Sequence, residues 1–226
     1  MELRFDHNRE GRIGVPEAVY CEGKTSKQVD RVVKELAIHG GRFFFTRLSE
    51  ERFMDLSEEA QSHLVFDAES NTAVLGPMIS RAPEALSVSI VAAGTSDIAV
   101  AKEAARTLDF LGLSSQLFAD VGVAGPHRLD EVFGDITRAG VIIVIAGCDA
   151  ALATVLSARV AVPCIGVPTS VGYGVAAGGR VALNAMLASC SAGLMVTNID
   201  NGFGAACAAY KILRGYDRKN VGNKTT

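Results

Sequence analysis

Six short stretches in the second half of the chain carry groups suited to chemistry on an anionic ligand. Gly94-Thr95-Ser96-Asp97 joins a glycine that lets backbone approach a ligand to two hydroxyls and a carboxylate. A helix starting there would aim free N–H groups at an anion, and a plain capped helix start reads the same way. Gly125-Pro126-His127-Arg128 offers an imidazole for proton transfer and a guanidinium for an anion, or else a solvated helix start. In Gly147-Cys148-Asp149 the carboxylate can serve as acid or base or cap a helix, and Cys148 is expected as a small buried residue. The twelve residues Pro168–Gly179 hold four glycines, including Gly172 and Gly174, with Ser170 and Tyr173 among them, which suits wrapping a phosphate or a planar ring. Ala188-Ser189-Cys190-Ser191 presents a thiol with no base at helical spacing, so these residues alone leave it a nucleophile or an inert thiol. Asn198-Ile199-Asp200-Asn201-Gly202 can hold a ribose, a phosphate or a metal, with Asp200 the candidate ligand, or form a polar turn with a helix cap.

The elements between these stretches explain their recurrence. Ser87–Gly94 is a continuous apolar run, as a strand buried on both faces should be. Strands follow at Gln116–Val121, Val141–Gly147, Val162–Pro168 and Gly193–Ile199, and helices at Ile98–Leu111, His127–Arg138, Ala150–Ala158, Gly178–Cys190 and Gly204–Leu213. This alternation predicts an α/β, parallel-sheet, flavodoxin/Rossmann-like three-layer domain with right-handed crossovers. Such sheets bind ligands outside the carboxyl ends of their strands, where five of the six stretches fall; Ala188–Ser191 sits at the C-terminal end of a helix. Residues 1–83 read differently, as a small α+β domain. Thr25 or Ser26 caps a helix to about His39, with Val29, Val32, Val33 and Leu36 on its apolar face. Arg42–Leu48 reads as a strand, Ser49–His63 as a second helix, and Leu64–Phe66 with Ala73–Leu75 as a hairpin. A break at Ser80–Glu84 separates this part from residues 84–226.

Composition excludes several classes. In 226 residues, 49% are hydrophobic and 21% charged, so a core is readily supplied and disorder is not expected. A net charge of −3 with no basic stripe argues against nucleic acid. The N-terminus lacks an apolar signal segment, and Val160–Gly179 is broken by prolines and glycines, so neither secretion nor membrane insertion is expected. Five scattered cysteines with no CxxC pair argue against structural zinc and suit a reducing cytoplasm. The low charge of the second half predicts a homo-oligomer.

Several of these stretches together resemble a known family. His127-Arg128, Ile145–Gly147 and Val162–Pro168 are similar to the AIR carboxylases of purine synthesis. The resemblance is stronger to the related LarB family, over nearly the full length. It rests on PEAVYCEGKT (Pro16–Thr25), AGTSD (Ala93–Asp97), DVGVAGPHRL (Asp120–Leu129), GVPTSVGYG (Gly166–Gly174), ASCS (Ala188–Ser191) and NIDNGFGA (Asn198–Ala205). The N-terminal part sets this family apart from the purine enzymes, with their PurE-type domain.

The resemblance implies a pyridinium-3,5-biscarboxylic acid mononucleotide synthase, the first step toward the nickel-pincer nucleotide cofactor. Its substrates would be nicotinic acid adenine dinucleotide and CO2 or bicarbonate, with AMP released. It implies that Cys190 is the covalent nucleophile and Asp149 the acid/base carboxylate, where many relatives carry Glu. His127 is the further catalytic candidate, and Gly94, Thr95, Ser96, Asp97, Gly125, Arg128, Gly147, Ser170, Gly172, Tyr173, Gly174, Ser189, Asn201 and Gly202 the substrate-binding ones. The chemistry needs no biotin or ATP, because the thiolate supplies the electron push. Phosphoanhydride hydrolysis suits Mg2+, with Asp200 or Asp97 as ligand. The resemblance also implies an octamer. Two other functions fit the sequence: an AIR carboxylase or mutase needing His127 but not Cys190, and a nucleotide-binding module without turnover.

Overall fold

The structure is a computed structural model. It describes residues 5–79 and 87–222, the last seven of them as backbone only. The expected break at Ser80–Glu84 lies outside the described residues. The chain divides into two compact units, Met1–Ser80 and Arg81–Thr226.

The first unit runs α1 (Arg9–Ile13), β1 (Ala18–Tyr20), α2 (Ser26–His39), β2 (Phe43–Thr46), α3 (Glu50–Met54), α4 (Glu58–Ser62), β3 (Leu64–Asp67) and β4 (Thr72–Leu75). Thr25 caps α2: its side chain accepts from the Gln28 N–H while the Gln28 side chain accepts from the Thr25 N–H. Val29, Val33 and Leu36 of that helix pack with Phe43, Phe45, Ala73 and Leu75. Each such side chain contributes roughly 1.5–3 kcal/mol by leaving water. The sheet order is β1-β2-β4-β3, with β1 parallel to β2 and the other pairs antiparallel. The helix expected over Ser49–His63 is instead two, α3 and α4. Ser57 interrupts it by donating from N and Oγ to Asp30, at 2.8 and 2.6 Å, and by capping the next turn through the Ala60 N–H. Gln61 then covers the carbonyls this break exposes, those of Met54 and Leu56.

The second unit alternates strands and helices: β5 (Val88–Ala92), α5 (Ile98–Phe110), β6 (Ser115–Phe118), α6 (Pro126–Ile136), β7 (Val141–Ala146), α7 (Ala151–Ser157), β8 (Cys164–Pro168), α8 (Arg180–Leu187), β9 (Leu194–Val196) and α9 (Gly202–Gly222). Its five strands are all parallel, in the order β6-β5-β7-β8-β9. Successive β7 side chains face opposite layers. Val141, Ile143 and Ile145 pack with Ala101, Ala104 and Leu108 of α5 and Ala205, Ala206 and Ala209 of α9. Ile142, Val144 and Ala146 pack with Leu129 and Ile136 of α6, Leu152 and Leu156 of α7, and Met186 of α8. The result is a three-layer α/β sandwich of flavodoxin-like strand order. Chain direction across the sheet reverses between β5 and β7, and such a switch point opens a crevice at the carboxyl ends.

Three expected boundaries move for local reasons. β6 stops at Phe118, because Asp120 takes a left-handed φ of 59° and turns the chain. The glycine-rich run expected as a loop contains a 3-10 turn over Gly174–Gly179. The helix expected to reach Cys190 ends at Leu187, so Cys190 lies in the turn beyond α8.

Candidate functional site

A cleft of about 240 Å3 opens where β5, β6 and β7 end. Ala93, Gly94, Ser96 and Asp97 line it after β5, Gly122–Ala124 after β6, and Ala146–Leu152 after β7. Val171 closes it from the segment after β8. Of the residues expected to bind or react, the cleft gathers Gly94, Ser96, Asp97, Gly147 and Asp149.

Asp97 is the buried polar anchor of this wall, at 3% exposure. Its carboxylate accepts from the Gly94 N–H at 3.0 Å and the Thr169 hydroxyl at 2.6 Å. Burial raises its pKa above the ordinary carboxylate value; the two hydrogen bonds oppose that rise and the charge of Asp200 adds to it. Thr169 is itself fully buried, and in the sequence only its place just after a strand marks it. Asp200, with φ 55°, accepts from the Ser170 N–H at 2.7 Å, so β8 and the turn before α9 are joined beside Asp97.

The turn after β7 is shaped by close backbone approach. A Cβ on Gly147 would lie 2.3 Å from the Val171 carbonyl oxygen, a distance no side chain tolerates. The Cys148 N–H donates to that same carbonyl at 2.8 Å. Cys148 and Ala150 then adopt left-handed φ angles of 51° and 52°. Each costs on the order of 1 kcal/mol for a non-glycine residue. Cys148, expected to be buried, is exposed as a consequence of that turn. Asp149 is exposed and accepts from the Ala151 N–H at 3.2 Å. It bridges into the helix start, but the cap residue proper is Ala150.

The remaining candidates lie elsewhere in this unit. Arg128 pairs with Asp120, and its guanidinium packs over Gly125, where a Cβ would sit 2.7 Å from Nε. The pair closes the loop that supplies Gly122–Ala124 to the cleft. His127 is exposed on the first turn of α6. Thr95 and Ser170 are exposed, and Gly172, Tyr173 and Gly174 belong to the segment after Val171. Gly202 is buried against α5, a Cβ there meeting the Val100 carbonyl at 2.4 Å, and Asn201 accepts from the Gly204 N–H as a helix cap.

The thiols separate by environment. Burial pushes Cys21 up to about 12 and Cys164 up to about 11, which keeps both protonated at neutral pH. Cys148 and Cys190 are exposed. Cys190 is flanked by two hydroxyl pairs: Ser189 with Thr154, and Ser191 with Ser157, each at 2.8 Å. Thr154 and Ser157 lie three and six residues beyond Ala151. The Ser189–Ser191 segment therefore docks about 4.5–9 Å along α7 from the end next to Asp149. Among the described residues no group of three or more His, Cys, Asp or Glu side chains could hold a metal ion. No described helix is long and apolar enough to cross a membrane.

Comparison with known proteins adds the lineage. Residues 2–77 match the LarB/PurE-like N-terminal domain, and residues 87–224 match AIR carboxylase. An uncharacterized protein of Methanocaldococcus jannaschii is 37% identical over 215 residues, covering 92% of this chain and 82% of that one. A crystal structure of a variant of Treponema denticola PurE2 aligns with a TM-score of 0.42 and 16% identity, over 61% of this chain and 94% of that one. The chain thus belongs to the LarB family, with a PurE-like AIR carboxylase domain following its own N-terminal domain, and its function is of the PurE-family carboxylase type.

Proposed function

We propose that this protein carboxylates C5 of the pyridinium ring of nicotinic acid adenine dinucleotide and hydrolyses its phosphoanhydride. The products are pyridinium-3,5-biscarboxylic acid mononucleotide, for a nickel-pincer nucleotide cofactor, and AMP. The observation that carries the reading is that this unit provides both required groups, a cleft-lining carboxylate at Asp149 just before α7 and an exposed thiol at Cys190 whose flanking serines bond to α7.

A pyridinium C5 is too electron-poor to attack CO2. Addition of the Cys190 thiolate at C4 forms an S–C bond and moves an electron pair onto the ring nitrogen, leaving an enamine with a nucleophilic C5. C5 attacks CO2, forming the new carboxylate. Asp149 takes the C5 proton, and expulsion of the thiolate restores aromaticity. The ring's own electrons return to it, so the step needs neither biotin nor ATP. Asp149 is one methylene shorter than Glu, and the ring must sit correspondingly closer. The glycine-walled cleft suits the anionic remainder of the dinucleotide, and Arg128 and His127 follow the Gly122–Ala124 wall in the chain. A divalent ion such as Mg2+ would supply charge neutralisation at the phosphoanhydride. Among the described residues no group of three or more ligands is assembled, and Asp200 or Asp97 would supply a carboxylate to the ion.

Cys190 does not line the cleft of its own chain, and Tyr173 (87% exposed), Val175 (93%) and Leu187 (65%) leave apolar surface open. Both facts support a homo-oligomer, an octamer by family resemblance, in which the thiol of one copy faces the cleft of another. Light scattering at micromolar concentration should return a mass several times that of one chain; a monomer overturns the assembly.

One observation favours a second reading: Cys148, beside Asp149, does line the cleft, so it rather than Cys190 could supply the thiolate. The experiment mixes the protein with the dinucleotide, bicarbonate and Mg2+ and follows products by mass spectrometry. AMP and the dicarboxylated mononucleotide should form, and Cys190→Ala should abolish the latter while Cys148→Ser spares it. The opposite pattern assigns the thiolate to Cys148. Turnover of aminoimidazole ribonucleotide instead moves the protein to the purine enzymes, and silence with both substrates leaves a binding module.

A further inference from the structure

We propose that Thr154 and Ser157 are positioning residues for Cys190, forming a hydroxyl clasp that aims its thiol away from α7. This rests on the reading of Cys190 as the nucleophile. The clasp consists of two separate hydrogen bonds across 35 and 34 residues of chain, Thr154 Oγ1 with Ser189 Oγ and Ser157 Oγ to Ser191 Oγ, both 2.8 Å. The Ser191 N–H also donates to Ser189 Oγ at 3.2 Å, tying the two ends of the segment together.

The spacing makes the two bonds one device. Thr154 and Ser157 are three apart on α7 and share a face, about 5 Å from one another. Ser189 and Ser191 are two apart in the turn after α8, and the Ser191 N–H to Ser189 Oγ bond sets their separation. Both serines bond to α7, so they turn toward the helix together and the residue between them is left facing solvent. The burial pattern agrees: Thr154, Ser157, Ser189 and Ser191 are half-buried, and Cys190 between the serines is exposed. A thiolate that must meet one ring carbon needs this restraint, since an ångström of misplacement can cost about a hundredfold in rate. Hydroxyls serve where apolar contacts would not, because they fix register as well as proximity.

The test uses the full chain with Thr154→Val, Ser157→Ala, both together, and Thr154→Ser as the conservative control. Two quantities are read: kcat and KM for the dinucleotide, and the rate of Cys190 alkylation by iodoacetamide relative to Cys148, resolved by peptide mass spectrometry. For the double variant, kcat should fall roughly ten- to a hundredfold with KM within about twofold. The labelling ratio should shift at least about threefold, and Thr154→Ser should behave like the unaltered chain. An unchanged labelling ratio in a chain that melts normally overturns the clasp. A shifted ratio with unchanged kcat overturns its part in the reaction. If the unaltered protein does not turn over the dinucleotide, the proposed reaction fails on its own, and the labelling ratio still decides the clasp.

Discussion

Two turns of the α/β unit each expose a cysteine, and they hold it by different means. The turn after β7 is fixed by backbone: Gly147 lies against the Val171 carbonyl, the Cys148 N–H is bonded to it, and two left-handed residues follow. The turn after α8 is fixed by side chains, through the hydroxyl pairs on either side of Cys190. A backbone-locked turn holds its shape whatever its side chains are, at a cost in strain. A side-chain clasp carries little strain but depends on four particular hydroxyls. The first suits a cleft wall that must not move, and the second a reactive group whose aim matters.

Substitutions in the two turns test this difference. The largest effect is expected from the thiols themselves. Cys190→Ala should lower formation of the dicarboxylated product by more than about a thousandfold, since no other group replaces a covalent nucleophile, and Cys148→Ser by less than about tenfold. Initial rates measured by mass spectrometry give both numbers, and their reversal would exchange the roles of the two turns. Next comes Gly147→Ala. Its Cβ collides with backbone and not with a flexible side-chain end, so about 1–3 kcal/mol of stability should be lost, read as a lower midpoint in urea. An unchanged midpoint would mean the turn is not locked as described. Smaller still is Ala150→Gly. Relief of the left-handed φ against the greater freedom of the unfolded chain leaves a gain of at most about 1 kcal/mol, measured the same way.

The smallest effect is one of pH. Burial holds the Asp97 carboxyl above its ordinary value of 3.8. The folded chain therefore keeps a proton that the unfolded chain has already released. This contribution to stability is full below the unfolded value and is lost as pH rises through the folded one. Asp97→Asn should flatten that decline as pH rises above the ordinary value, where urea midpoints compare the two proteins. Parallel pH profiles would show that Asp97 titrates normally.

Much of this was legible along the chain. The α2 helix follows from a cap at Thr25 or Ser26 and the spacing of Val29, Val32, Val33 and Leu36, because capping and amphipathicity act within a few residues. The buried β7 strand follows from an apolar run that only a doubly covered parallel strand needs. The break at Ser57 did not, because its partner Asp30 lies 27 residues earlier. Nor did the exposure of Cys148, since residue type favours burial and only the close packing of Gly147 on Val171 turns it outward.

By itself, the sequence determined the strand–helix alternation, the carboxyl-end location of the polar stretches, and the family, since these depend on local periodicity and on motifs that stand intact in the chain. Only the tertiary structure decided which stretches share a wall. Asp97 meets Thr169 across 72 residues, and Ser189 meets Thr154 across 35. Hydrogen bonds of that span form only after the sheet has brought distant strand ends together, so no pattern along the chain encodes them.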